Sequence, residues 1–83
     1  MSTQITDTLS QHVIELVSSR MDIPKEQISL DSRFVADLGF DSLDFVEFVM
    51  TVEDEFDIAV PDEESDTILT VRDAIQAIQK LIS

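Results

Sequence analysis

Asp41-Ser42-Leu43-Asp44 follows the chain's single glycine, Gly39, and stands at the head of a long amphipathic pattern. A helix start presents unpaired backbone N–H groups and the positive end of the helix dipole, so a phosphate group joined to a serine there is electrostatically favoured. The chemistry this arrangement permits is covalent attachment through the Ser42 hydroxyl, with Asp41 as the N-cap. A second acid–serine pair, Asp31-Ser32, is followed by Arg33 and by no long helical pattern, so it reads as the cap of a short turn.

Other chemistries find few residues to work with. Intrinsic catalysis needs converging acid, base and nucleophile, yet the chain has one histidine, no cysteine and no tyrosine. His12 has no second histidine or cysteine near it in sequence and reads as structural or solvent-facing. Without cysteine there is neither a disulfide nor a thiolate metal site, and any thiol must arrive on an attached group. The calcium-loop pattern D-x-[DN]-x-[DN]-G also fails: a loop begun at Asp37 meets Gly39 third, and one that placed Gly39 sixth would have to begin at Phe34.

The elements that must position Ser42 follow from hydrophobic spacing. Ile5, Leu9, Val13, Leu16 and Val17 predict a first helix from about Thr3 to Arg20, broken by Ile23-Pro24. A long first connection, Lys25 to Phe40, carries the apolar anchors Ile28, Leu30, Phe34, Val35 and Leu38 and should pack down on the core. Gly39 supplies a positive φ before the second helix, Ser42 to Phe56. Pro61-Asp62-Glu63-Glu64 opens a short third helix, with Ile58, Val60 and Ile68 as anchors. Thr70 and Asp73 form a variant capping box for the last helix, whose core face is Val71, Ala74, Ile75, Ile78 and Ile82. The expectation is an all-α fold: a small bundle of three main helices plus one short helix, in one domain spanning residues 1–83.

Turned at about 100° per residue, the second helix carries two apolar stripes. Phe45, Phe48, Val49, Val52 and Phe56 make the expected core face, while Leu43, Val46 and Met50 gather separately, with Ser42 between the two. The second stripe either widens the core face or is an exposed strip on which partners dock; the residue pattern alone favours the core.

Apolar content of 43% with a mean hydropathy of +0.09 suits a folded chain despite its charge. Net charge is −13, and between Phe34 and Val71 there is no lysine or arginine while twelve acids occur. Such a surface repels nucleic acid and anionic membrane, and its acids either steer the chain toward proteins with basic patches or merely keep a small protein soluble. No apolar run approaches membrane-spanning length, and the polar amino terminus lacks a secretory pattern, as expected of a soluble, cytoplasmic monomer.

Asp37-Leu38-Gly39-Phe40-Asp41-Ser42-Leu43-Asp44, followed by Val46-Glu47, Glu53-Asp54-Glu55-Phe56, Ile58, Val60-Pro61-Asp62-Glu63-Glu64 and Thr70-Val71, resembles the acyl carrier protein family along essentially the whole chain. The resemblance implies a non-enzymatic carrier for fatty-acid, polyketide or lipid biosynthesis. Ser42, flanked by Asp41 and Leu43, would receive a 4′-phosphopantetheine arm from coenzyme A through a phosphopantetheinyl transferase with magnesium. The arm's thiol would hold acyl groups as thioesters, which accounts for the missing cysteine. The resemblance also makes the second helix the recognition helix, with Leu43, Val46 and Met50 as docking stripe. Asp41, Asp44, Glu47, Glu53 and Asp54 would then meet basic residues of the transferase, acyltransferases and ketosynthases. The alternative function is a non-catalytic acidic adaptor whose serine stays unmodified.

Phe40, Phe45 and Phe48 are bulkier than this resemblance leads one to expect. An acyl pocket bounded by Phe34, Phe45, Phe48 and Val49 would be altered by that volume, giving a changed chain preference, or the volume would be absorbed by compensating small residues.

Overall fold

The computed structural model describes residues 2–82, with side chains from residue 8 onward, so the expected contribution of Ile5 lies outside the described residues. Among the described residues four helices occur in the order α1 (Ser2–Met21), α2 (Ser42–Phe56), α3 (Asp62–Ser65) and α4 (Val71–Ile82), with one 3-10 turn at Lys25–Gln27. Among the described residues there is no strand, only an isolated antiparallel bridge between Arg33 and Thr70. This is the all-α architecture that the periodicity predicts, with the long connection between α1 and α2 in place. None of the described helices is long and apolar enough to cross a membrane.

Each helix buries the stripe its sequence offers. Leu9, Val13 and Val17 of α1, Phe48 and Val52 of α2, and Val71, Ala74, Ile75 and Ile78 of α4 form one core with Ile28, Phe34, Leu38 and Phe40 from the first connection. Each fully buried Val or Leu contributes about 1.5–3 kcal/mol of transfer free energy. The third dimension of the core is therefore supplied by a loop rather than by a fourth long helix.

That loop is fastened by α4. The orphan N–H groups of Val71 and Arg72 donate to the carbonyls of Ser32, at 3.0 Å, and Leu30, at 2.9 Å, and Phe34 N–H donates to the Leu69 carbonyl at 3.0 Å. Thr70 caps the same helix: its Oγ1 accepts from Asp73 N–H, and Asp73 Oδ2 accepts from Leu69 and Thr70 N–H. Phe34 and Phe40, both buried, are thereby held immediately upstream of α2.

Two expected anchors point outward instead. Val35 is 71% exposed and Ile82 is 47% exposed. Val35 lies beside buried Phe34 on a turn in which Leu38 and Phe40 fill the available core positions. Ile82 stands at the last turn of α4, past the end of the packed stripe at Ile78. His12 tilts against Phe56 with ring centroids 4.8 Å apart, and its Nε2 lies 3.4 Å from Glu55, so it ties α1 to the end of α2.

Candidate functional site

The turn before α2 closes around Gly39, whose φ of +77° is the left-handed region that side chains disfavour. Phe40 N–H returns to the Phe34 carbonyl at 2.9 Å, which drops the Phe40 ring into the core and delivers the chain to Asp41 in an extended conformation. Asp41 then caps α2 reciprocally. Its Oδ1 accepts from Asp44 N–H at 2.8 Å, and Asp44 Oδ2 accepts from Asp41 N–H at 3.2 Å.

Ser42 is the first residue of α2 and is exposed. The cap serves Asp44, leaving the N–H groups of Ser42 and Leu43 without an acceptor among the described residues, so the positive end of the helix faces solvent beside the hydroxyl. Ser32, the other acid-preceded candidate, is only 8% exposed and its Oγ accepts from Ser29 N–H. A phosphodiester on Ser42 would sit in favourable potential and meet no steric barrier; on Ser32 it would have to enter the core. The exposed serine at a helix start with two open N–H groups therefore fits a phosphopantetheine group.

The stripe that the residue pattern favoured for the core is in solvent: Leu43 is 64%, Val46 54% and Met50 58% exposed. The core face was already filled by Phe48 and Val52, with Phe45 and Phe56 packed behind them, so no inward volume remained for a second stripe.

The acids divide into three groups. Asp41 and Asp54 are exposed and unpaired with any cation among the described residues. Asp44 and Glu47 share the Arg20 guanidinium from the last turn of α1: one nitrogen donates to Glu47 and lies 3.4 Å from Asp44 Oδ1. The Asp44 carboxyl is held below its ordinary value, first by the Asp41 N–H and then by Arg20, and the Glu47 carboxylate raises Arg20. Glu53 is half-buried: its Oε2 accepts from Val60 N–H at 2.8 Å, while its carbonyl receives the N–H groups of Asp57 and Ile58. Glu53 fastens the exit of α2.

Beneath α2, an apolar cavity of about 20 Å³ is lined by Phe45, Phe48, Val49, Val52, Val60, Ile68, Ala74, Ala77 and Ile78. It has room for about one water molecule. Phe34 stands outside the lining as the hub of an aromatic cluster, with centroids 5.1 Å from Phe40 and 5.4 Å from both Phe45 and Phe48. Sequence reasoning missed the α4 wall, although the small residues Ala74 and Ala77, three apart on α4 and sharing the lining with Phe45 and Phe48, were a legible signal. It also missed Arg20, which carries no motif; its nearness to Asp44 and Glu47 arises only when α1 packs on α2.

The family described as "Phosphopantetheine attachment site" matches residues 11–78. The chain is 48% identical over 75 residues to the acyl carrier protein of Rickettsia canadensis, covering 90% of this chain and 87% of that one. It is 44% identical over 72 residues to the acyl carrier protein of Chlorobium phaeobacteroides, covering 87% and 92%. The acyl carrier protein of Sulfurovum sp. is 44% identical over 73 residues, covering 88% and 97%.

Proposed function

The chain belongs to the phosphopantetheine-attachment family of acyl carrier proteins, and from that premise we propose that Ser42 is the residue that bears the arm. The protein is an acyl carrier of fatty-acid biosynthesis and its cofactor is 4′-phosphopantetheine. When attached, the arm supplies a terminal thiol on which acyl groups ride as thioesters. The protein's own residues present and address that arm: Asp41 and Asp44 fix the first turn of α2, and the open N–H groups beside Ser42 favour the phosphodiester charge.

Leu43, Val46 and Met50 form the apolar centre of the docking face, and Asp41, Asp44, Glu47 and Asp54 its acidic border. The partners on this reading are a phosphopantetheinyl transferase, acyltransferases and ketosynthases with basic patches, met by a monomer in the cytoplasm. Exposed ion pairs are each worth under about 1 kcal/mol, so such docking is weak, fast and salt-sensitive. A shuttle needs those properties, because it must leave each enzyme after one transfer.

The observation that carries the assignment of Ser42 is its exposure at the start of α2 while Ser32 is buried. Incubation with coenzyme A, magnesium and a broad-specificity phosphopantetheinyl transferase is expected to add one arm to the intact mass, and Ser42→Ala to abolish the shift. A shift that survives Ser42→Ala would move the attachment elsewhere. No shift in the wild-type chain would favour an unmodified acidic adaptor.

A further inference from the structure

Arg20 projects from the last turn of α1 onto the acidic border of α2, and among the described residues it is the one lysine or arginine paired with an acid of that helix. Both oxygens of Asp44 are engaged, Oδ1 facing Arg20 and Oδ2 accepting from Asp41 N–H, and Glu47 uses Oε1 on the same guanidinium. The three side chains are each about a third to a half exposed, so the contact is reachable from solvent. The docking face is therefore uneven. Beside Ser42, Asp44 and Glu47 already hold a cation and together with Arg20 present one net negative charge rather than two, while Asp41 just before Ser42 and Asp54, about two turns past Glu47, carry no such partner among the described residues.

We propose that Arg20 is a specificity-determining residue, a resident cation that competes with the basic residues of any protein docking beside Ser42. The proposal rests on the carrier reading above. A partner that places an arginine or lysine against Asp44 and Glu47 must displace Arg20 or share its acceptors, and it also meets like charge on approach. A partner that relies on Asp54 and the Met50 end of the stripe meets neither obstacle. The transferase must reach Ser42 itself, so it is the partner on which the competition falls most directly.

The test is the initial rate of arm transfer to the full chain, read as kcat/KM by intact mass, for wild type, Arg20→Gln, Glu47→Gln and the double variant at low and high salt. Helical circular dichroism confirms that each variant is folded. Arg20→Gln is expected to load about two- to fivefold faster at low salt, the span of one exposed pair. That gain should disappear at high salt and shrink in the Glu47→Gln background. Arg20→Lys keeps the charge without the planar fork and should stay within about twofold of wild type. Equal or slower loading of folded Arg20→Gln at low salt would overturn the proposal, as would a gain undiminished by Glu47→Gln. Absence of a mass shift in wild type and every variant alike would instead remove the carrier reading on which the proposal stands.

Discussion

Asp41 and Asp44 hold each other's backbone N–H groups across the first turn of α2, at 2.8 and 3.2 Å, with Ser42 and Leu43 carried between them. Two acids side by side would ordinarily repel. Here each carboxylate is compensated by an N–H donor and by the helix dipole, so the repulsion is offset where the serine proposed to bear the arm needs a fixed backbone.

Asp41→Ala removes the acceptor for Asp44 N–H and should cost about 1 kcal/mol of stability, measured by urea unfolding. Asp41→Asn keeps an acceptor and should recover most of that loss. Equal destabilisation by both would show that the charge, and not the cap, is what matters.

Acid should unfold the protein partly through Asp44 and Asp73. Both carboxyls are held below their ordinary value, Asp44 first by Asp41 N–H and Asp73 first by Leu69 N–H. A lowered folded-state pKa means the unfolded chain binds protons first, so this stability is full above the ordinary aspartate value of about 3.9 and is lost as pH falls through the folded-state values. The slope of stability against pH below about 4 should flatten in Asp44→Asn and in Asp73→Asn. An unchanged slope in both would place the acid sensitivity elsewhere among the carboxylates.

The legibility of this chain depends on distance along it. The capping pairs Asp41–Asp44 and Thr70–Asp73, the turn at Gly39 and the α1, α2 and α4 stripes each involve residues within a few positions, where spacing fixes geometry. Leu43, Val46 and Met50 could not be placed from their helix alone. Whether a stripe is inside depends on how much volume the other elements leave, and Phe34 and Phe40 from the loop had used that volume. Glu53 was opaque for a similar reason: its partner, Val60 N–H, lies beyond the helix on a chain whose path the sequence did not specify.

Glu53 and Glu47 should therefore separate stability from docking. Glu53→Ala strips the acceptor from Val60 N–H and is expected to cost about 1 kcal/mol while leaving arm transfer within about twofold, since the effect on docking is below one exposed pair. Glu47→Lys reverses a charge on the proposed docking border and should slow arm transfer at low salt while leaving the fold intact. A Glu53→Ala variant as stable as wild type would deny the latch, and unchanged transfer to Glu47→Lys at low salt would deny the docking face.

Asp57 ends α2 in the left-handed region, with φ 55° and ψ 52°, and places a carboxylate at the negative end of the helix dipole. Asn tolerates the same conformation without the charge. Asp57→Asn should raise stability by about 0.3–1 kcal/mol, more at low salt than at high. Destabilisation would mean that the Asp57 carboxylate makes a stabilising contact absent from this arrangement.

The cavity under α2 bears on what the carrier can shelter. With room for about one water, it admits an acyl chain only if its walls part, and Phe45 and Phe48 are the bulkiest of those walls. Phe45 also packs on Phe34 at 5.4 Å in an edge-on arrangement, so moving it breaks an aromatic contact worth about 0.5–1.5 kcal/mol. Longer chains demand more displacement than shorter ones, so the thermal stabilisation gained on acylation should stop increasing at short chain length in the wild-type protein. Phe45→Leu lowers the stability of the unloaded protein by about 1 kcal/mol and should extend the gain to longer chains, because the wall that resisted has less to lose. If acyl chains of increasing length raise the melting temperature of wild type and Phe45→Leu in parallel, Phe45 sets no limit and its bulk is absorbed by the small residues Ala74 and Ala77 opposite.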